Sequence, residues 1–315
     1  MIIINNEIER LDFSREPRGL YEPIGYTLSG GGKRVRPTLA LTACRLFGGQ
    51  EESVLPVALA LEVFHNFTLL HDDLMDKADT RRGRQTVWKK WDANTAVLSG
   101  DQMLIEAYKL LAQLPAEQLA NVLPIFNRMA TEICEGQQLD MDFEGMKLTE
   151  VSIADYMEMI RLKTSVLLAS ALQMGALIAG ADEVAQEALY NFGIKVGLAF
   201  QIQDDLLDCF GDAATFGKPI GGDILEGKKT YMLLTAYQQG GEAFRTQLEA
   251  LRTAMPADKI HNVCELYNRL GVRQRAEEAI ETLTREALAY LNSIPQNEDT
   301  AALRSLAEKL ASREK

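Results

Sequence analysis

The chain has 315 residues, of which 47% are hydrophobic and 25% are charged, and its formal net charge is -12 at pH 7. This composition is typical of a soluble globular protein, and the acidic balance argues against nucleic acid as the main partner. The four cysteines have no paired spacing and form no Cys-x-x-Cys motif. We therefore expect a reduced, cytoplasmic compartment, with neither a disulfide framework nor a zinc site.

Helical periodicity runs through most of the chain, and strand signals are few. No proline occurs between Pro124 and Pro219, and the glycine-rich stretches are too short to be linkers. The most membrane-like stretch, Thr164 to Ala181, is rich in small residues, which favours a buried helix over a transmembrane segment. We predict an all-α fold of roughly ten to twelve helices in one domain over residues 1–315.

The first chemical feature is the segment Ser29-Gly-Gly-Gly-Lys-Arg-Val-Arg-Pro37. Three glycines allow backbone amides to approach an anion closely, and Lys33, Arg34 and Arg36 add positive charge. The Walker A pattern does not fit, because the Ser or Thr after the lysine is missing. The segment indicates a phosphate-binding loop, and a solvated basic loop is the alternative.

An aspartate-rich segment ends a strongly apolar stretch that begins at Leu61. Helical spacing places Asp72 and Asp76 one turn apart, with Asp73 beside them, so three carboxylates crowd one helix end. Oxygen ligands of this kind suit Mg2+ where phosphates complete its coordination shell. The alternative is a solvated acidic helix end.

Two arginines, Arg81 and Arg82, follow this cluster, and Gly83 is the predicted stop of the helix. Guanidinium groups beside a metal cluster favour a polyphosphate ligand. His65 lies seven residues before Asp72, hence on nearly the same helical face. Its alternative role is that of a hydrogen-bonded core histidine.

Two short polar motifs occur in the middle of the chain. In the first, Gln137 and Asp140 form one polar patch on a predicted helix. In the second, Lys163 and Thr164 begin the most apolar helix of the chain. The lysine either snorkels to solvent or, with the threonine hydroxyl, offers charge and an oxygen to a diphosphate.

A second acid cluster repeats the first one far downstream, where Asp204 and Asp208 have the one-turn spacing and Asp205 is the neighbour. We expect the two clusters to hold several metal ions around a single diphosphate in one cavity. The glycine-rich stretch that follows, residues 216–231, carries lysines and Asp223. It indicates either a lid that closes on a bound anion or a solvated loop.

These motifs together resemble those of the trans-isoprenyl diphosphate synthases, the polyprenyl synthetase family. The matching segments are GGKRVRP, HDDLMD with the following RRG, GQQLD, LKT, FQIQDDLLD and GK(x)9K, in this order between residues 30 and 231. The resemblance implies an orthogonal bundle of mostly antiparallel helices around a deep central cavity. It also implies a homodimer and three Mg2+ ions.

The same resemblance implies a role for individual residues. Direct metal ligands would be Asp72, Asp76 and Asp204, supported by Asp73, Asp205 and Asp208. The allylic diphosphate would be held by Arg81, Lys163 and Lys218, with Lys228 closing the lid. Isopentenyl diphosphate would be bound by Lys33, Arg36, His65 and Arg82. Next to the reacting carbons would lie Thr164 and Gln201.

The implied reaction joins isopentenyl diphosphate head to tail to an allylic diphosphate, by Mg2+-assisted ionisation, attack on the carbocation and proton loss. Its product would be a short-chain trans-prenyl diphosphate, with geranylgeranyl favoured and farnesyl next. The residues expected to set the chain length are Phe64, Phe67 and Thr68, which lie before Asp72 on the same helix. Ordinary core packing is the alternative for the two aromatic residues.

Two alternative functions are a class I terpene cyclase and a non-catalytic regulatory subunit of a prenyl synthase. A class I terpene cyclase shares the aspartate-rich helix, but it does not need a second substrate site such as GGKRVRP with His65. A non-catalytic regulatory subunit of a prenyl synthase would be expected to lose one acid cluster, and both clusters are present here.

Overall fold

The computed structural model describes residues 2–211 and 220–311. The chain divides into two compact units. The N-terminal unit comprises Met1–Phe126 and Ser170–Gln186, and the C-terminal unit comprises Asn127–Ala169 and Glu187–Lys315. Both are built almost entirely from helices, which confirms the predicted all-α class. That residues 1–315 form a single domain stays a prediction.

The N-terminal unit begins with helices separated by short turns. Its elements are α1 (Ile2–Arg10), α2 (Arg18–Leu28), α3 (Val35–Leu46), α4 (Glu51–Met75), β1 (Thr80–Arg81), β2 (Arg84–Gln85), α5 (Val87–Lys90), α6 (Ala93–Leu111) and the first part of α7 (Ala116–Gly145). The end of α9 (Val166–Ile178) and the start of α10 (Glu183–Phe210) complete it.

The C-terminal unit contains the remaining parts of α7, α9 and α10. Its other elements are a 3-10 turn (Leu148–Glu150), α8 (Ile153–Ile160), a π-helical turn (Arg161–Ser165), α11 (Gly222–Glu226), α12 (Tyr231–Ala250), α13 (Pro256–Arg269), α14 (Val272–Tyr290), a 3-10 turn (Leu291–Ser293) and α15 (Glu298–Ala311). The described residues thus hold fifteen α-helical segments, more than the predicted ten to twelve, because single turns such as α5 and α11 stand apart from the long helices.

The core helix of the N-terminal unit is α4, which packs against α3 and α6. Among the described residues it is the one helix long and apolar enough to cross a bilayer, yet its most apolar window is 67% buried within the protein. A helix that is apolar on all sides and covered by its neighbours is a core helix. The stretch Thr164 to Ala181, which we predicted to be the most membrane-like, contains the buried helix α9.

Helix α4 ends at Met75, so the predicted stop at Gly83 is wrong. The chain leaves the helix through Lys77, whose φ of 52° is left-handed. Arg82 and Gly83, with φ of 52° and 73°, then form the turn between antiparallel β1 and β2. Two consecutive residues with positive φ are typical of a tight hairpin turn. Because Arg-Gly is not one of the usual hairpin pairs, the sequence did not reveal it.

Candidate active site

The first acid cluster lies at the carboxyl end of α4. The amide of Asp76 donates to the carbonyl of Asp72 at 2.9 Å, which confirms that the two aspartates are one helical turn apart. The hairpin returns Arg81 to this end, where its Nε donates to Asp73 Oδ1 at 2.6 Å and its Nη2 to Asp72 Oδ2 at 3.3 Å. Burial raises the pKa of Asp73 to about 6, although Arg81 opposes the shift.

Next to the acid cluster, three of the four residues predicted to bind isopentenyl diphosphate lie close together. Burial, and then the positive charges of Arg36 and Arg82, hold the pKa of His65 well below its usual range. Burial also lowers the pKa of Arg36 to about 10, and Glu62 opposes that shift. His65 is therefore a neutral imidazole among guanidinium groups, which suits hydrogen bonding to an anion beside full positive charges.

The glycine loop adjoins Arg82. Arg82 Nη1 donates a hydrogen bond to the carbonyl of Gly31. A Cβ at Gly32, whose φ is 136°, would lie 3.0 Å from the same guanidinium group. The loop therefore requires glycine where it meets Arg82, and the exposed Lys33 follows directly. Lys33, the fourth predicted ligand of isopentenyl diphosphate, therefore directly follows Gly32, the residue that packs on Arg82.

Arg34 has a structural contact that the sequence did not indicate. Its φ of 46° is left-handed, and its Nη1 forms a buried ion pair of 2.5 Å with Glu62 Oε1. Asn66 Nδ2 donates to the same carboxylate oxygen at 2.9 Å, and Arg34 Nη2 donates to the carbonyl of Leu28 at 2.8 Å. The sequence feature that could have indicated this contact is the spacing of Glu62 and Asn66, two polar residues four positions apart within an apolar helix.

The three predicted chain-length residues differ in exposure. Phe64 is 1% exposed, and its ring lies 5.4 Å from that of Phe126 and 5.5 Å from that of Phe67. Phe67 and Thr68 are half-buried, and the ring of Phe67 lies 4.9 Å from that of His71. Phe64 therefore packs in the core against Phe67, and Phe67 retains a partly open face. The chain-length roles of Phe64, Phe67 and Thr68 stay predictions.

In the C-terminal unit, Lys163 and Thr164 lie on the π-helical turn between α8 and α9. Lys163 Nζ forms an ion pair of 2.6 Å with Asp140 Oδ2 on α7. Two glycines pack against the turn: a Cβ at Gly136 would lie 2.3 Å from the amide nitrogen of Lys163, and one at Gly197 would lie 2.6 Å from the Cα of Ser165. π-Helical turns are frequent at functional sites, and here the packing of two helices holds one in place.

A chain of hydrogen bonds links Thr164 to the second acid cluster. Thr164 Oγ1 donates to Gln201 Oε1 at 3.3 Å, and Gln201 Nε2 donates to Asp205 Oδ1 at 3.2 Å. Asp205 Oδ2 accepts from the hydroxyl of Tyr156 at 2.5 Å and from the amide of Tyr231 at 3.1 Å. Burial, and then the charge of Asp223, raise the pKa of Asp205, and the three hydrogen bonds to its carboxylate oppose that shift. No local motif in the sequence marks either tyrosine.

The last aspartate of this cluster, Asp208, holds the start of α11. Its Oδ2 accepts from the amide of Asp223 at 3.1 Å, and its carbonyl oxygen accepts from the amide of Gly221 at 2.7 Å. Burial, and then the charge of Asp208, raise the pKa of Asp223 to about 7. Lys228 Nζ lies 3.1 Å from Glu226 Oε2. The predicted ligand Lys218 lies outside the described residues.

The carboxylates of the two clusters have the chemistry that Mg2+ prefers, since they offer only hard oxygen donors. Asp73 and Asp205 are buried, and burial raises the pKa of each carboxyl group. Within residues 2–211 and 220–311, no three acidic, histidine or cysteine side chains form a ready-made metal cage. Mg2+ commonly keeps several waters and takes its remaining oxygens from substrate phosphates, so the residues present fit this ion.

An all-α chain with an aspartate-rich helix end in each unit is typical of the isoprenoid synthases as a class. Residues 17–270 match the polyprenyl synthetase family. The chain belongs to this family, as its motifs predicted.

Similar proteins agree with this assignment. The chain is 41% identical to a geranylgeranyl diphosphate synthase of Methanosarcina mazei over 74% of this chain and 75% of that protein. It is 35% identical to a geranylfarnesyl diphosphate synthase of Natronomonas pharaonis over 99% of this chain and 95% of that one. The crystal structure of a geranylgeranyl pyrophosphate synthetase from Pyrococcus horikoshii superposes with a TM-score of 0.93, at 34% identity over 99% and 95% of the two chains. The likeness covers the whole fold.

Proposed function

We propose that the protein condenses isopentenyl diphosphate head to tail with an allylic diphosphate, releases diphosphate and makes a short-chain trans-prenyl diphosphate. The observation that carries this proposal is the cluster of Arg36, His65 and Arg82 beside the acid cluster of α4. A basic anion site next to an acidic metal site provides for two diphosphates, whereas a class I cyclase binds only one. The family relationship supports the same reaction.

Three Mg2+ ions, the number that the family resemblance implies, would be held by Asp72, Asp76 and Asp204, with Asp73, Asp205 and Asp208 in support. They would neutralise the charge that develops on the leaving diphosphate. The residues of this chain do the rest. Arg81, Lys163 and Lys218 bind the allylic diphosphate, and Lys228 closes the lid over it. Thr164 and Gln201 place oxygen atoms near the reacting carbons, where they stabilise positive charge.

The cluster of Lys33, Arg36, His65 and Arg82 binds the diphosphate of isopentenyl diphosphate and orients its double bond towards the ionised allylic carbon. The released diphosphate accepts the proton, so no protein base is required. Exclusion of water protects the carbocation from premature capture. The proposal requires the aspartates of the two clusters to act on the same diphosphate.

For the product we favour geranylgeranyl diphosphate, with farnesyl diphosphate next. Two lines of support are the names of similar proteins, several of which are geranylgeranyl diphosphate synthases, and the partly open face of Phe67. An aromatic ring at this depth, about 7.5 Å along the helix axis from Asp72, limits the space for a growing chain.

We further propose a homodimer in the cytoplasm. One face of α6 carries Val97, Leu98, Ile105 and Tyr108, which are 42%, 59%, 52% and 37% exposed. These positions fall within about 100° of helical arc, so they form one apolar stripe that a second copy could cover. The four cysteines are free, which fits a reducing compartment. Sedimentation of wild type and Leu98→Asp tests the dimer: the variant should be a monomer, and an unchanged dimer would exclude this stripe.

The reaction is tested with purified protein, Mg2+, isopentenyl diphosphate and each of the three short allylic primers, with products identified by mass. We expect prenyl diphosphates that are longer than the primer, and none without isopentenyl diphosphate. Hydrocarbon released from an allylic diphosphate alone would identify a cyclase. No turnover by the purified chain, restored by a partner synthase, would identify a regulatory subunit.

A further inference from the structure

The proposed reaction assigns no role to the buried contact between Tyr156 and Asp205. The Tyr156 hydroxyl donates to Asp205 Oδ2 at 2.5 Å, and the two side chains belong to residues that are 2% and 4% exposed. We propose that Tyr156 is a positioning residue that sets the orientation of the Thr164 hydroxyl through Asp205 and Gln201. This inference rests on the proposed function, because it concerns how Thr164 meets the ionised substrate.

Asp205 is fully engaged within the protein. Its Oδ2 accepts from Tyr156 and from the amide of Tyr231, and its Oδ1 accepts from Gln201 Nε2. A carboxylate with three donors on its two oxygens is fixed in rotation. Asp205 therefore orients the groups that donate hydrogen bonds to it. This is a structural basis for its predicted supporting role.

The orientation of the Gln201 amide follows from this acceptor. Because its Nε2 points to Asp205, its Oε1 points to Thr164 and accepts the hydroxyl proton at 3.3 Å. The Thr164 oxygen then keeps its lone pairs for other contacts. Lone pairs stabilise a developing carbocation, whereas a hydroxyl proton directed at it would repel the positive charge.

Loss of the Tyr156 hydroxyl removes the shortest of the three hydrogen bonds to Asp205. The carboxylate can then rotate, and the Gln201 amide can reverse so that its NH2 group donates to Thr164. In that arrangement the Thr164 proton is free to point at the substrate. The expected consequence is slower ionisation with nearly unchanged substrate binding.

The test compares Tyr156→Phe with Tyr190→Phe. Tyr190 also lies in the C-terminal unit, on α10, and its ring is 5.3 Å from the guanidinium carbon of Arg128, a contact that phenylalanine retains. In Tyr156→Phe we expect kcat to fall roughly tenfold, the factor that corresponds to one hydrogen bond, with both KM values within about twofold of wild type. Tyr190→Phe should keep wild-type kcat.

A double-mutant cycle separates positioning from simple stability. If Tyr156 acts through Gln201, then Tyr156→Phe should have little further effect on kcat in a Gln201→Leu background. An equal loss in both backgrounds, or wild-type kcat in Tyr156→Phe, would overturn the proposal. Should Tyr156→Phe fold poorly by circular dichroism, Asp205→Asn takes its place in the same cycle. Wild-type turnover is measured in parallel, so failure of the proposed reaction is distinguished from failure of this inference.

Discussion

Lys163 and Asp140 form an ion pair of 2.6 Å that joins the π-helical turn to α7. Both side chains are about one quarter exposed, at 27% and 29%, so the pair borders solvent-accessible space. Its length is that of a charge-assisted hydrogen bond. The carboxylate thereby fixes the ammonium group that we propose binds the allylic diphosphate.

Replacing Asp140 by asparagine should release Lys163 from this position. We expect kcat/KM for the allylic diphosphate to fall roughly tenfold, because a misplaced cation stabilises the leaving group less well. Steady-state kinetics with varied allylic substrate measure the effect. Asp142→Asn on the same helix is the matched control, since Asp142 is exposed and accepts a hydrogen bond from Gln138. An equal loss in both variants would mean that Lys163 is not positioned by Asp140.

A methyl group at Gly136 should disturb the π-helical turn directly. The Cβ of Gly136→Ala would lie 2.3 Å from the amide nitrogen of Lys163, and backbone cannot move aside as a flexible side chain can. We expect a loss of about 2 kcal/mol in the free energy of unfolding, and a lower kcat as well. Gly145→Ala, where nothing lies within 4 Å, should be close to wild type in both. Chemical denaturation measures the free energy of unfolding of both variants. Equal values for the two would contradict this prediction.

Shortening Phe67 should lengthen the product. Phe67→Ala removes the half-buried ring that we propose limits the growing chain, so mass analysis should show products with at least one more isoprene unit. Phe64→Ala should instead cost about 4 kcal/mol of stability, because its ring is 1% exposed in the core. Phe13→Ala serves as a control for loss of a half-buried ring. Unchanged chain length in Phe67→Ala would remove Phe67 from this role.

The buried pair of Arg34 and Glu62 should matter for stability. Their side chains are 4% and 3% exposed, so Glu62→Gln leaves a buried guanidinium without its countercharge. We expect the free energy of unfolding to fall by roughly 3 kcal/mol. Glu249→Gln breaks an ion pair whose members are 78% and 70% exposed, and it should cost much less. If thermal unfolding shows the same loss of stability in both variants, the buried ion pair of Glu62 contributes no more than the exposed one.

The features that sequence predicted are those set by local spacing. One-turn spacing placed Asp72 beside Asp76, and the structure joins them by a backbone hydrogen bond at the carboxyl end of α4. Helical periodicity likewise predicted the all-α class, which the described residues and the solved relatives confirm. Such relationships depend on residues at most four positions apart, and the helix geometry alone determines them.

The features that sequence missed depend on contacts between distant residues. Glu62 meets Arg34 from 28 positions away, and Asp140 meets Lys163 from 23 positions away. Gly136 and Gly197, on two other helices, allow close packing against the π-helical turn, which no local pattern encodes. The hairpin that returns Arg81 to the aspartates was hidden by the left-handed Arg82, since arginine rarely adopts that conformation.

We propose that the two acid clusters act on one diphosphate, and mutant kinetics test this most directly. Mg2+-dependent incorporation of labelled isopentenyl diphosphate is measured for Asp72→Asn, Asp204→Asn and the double variant. We predict that each single substitution lowers kcat by about 100-fold or more, and that the double variant is scarcely slower than either, as expected of residues that act as a unit. Full activity in either single variant, or losses that multiply in the double variant, would contradict the claim.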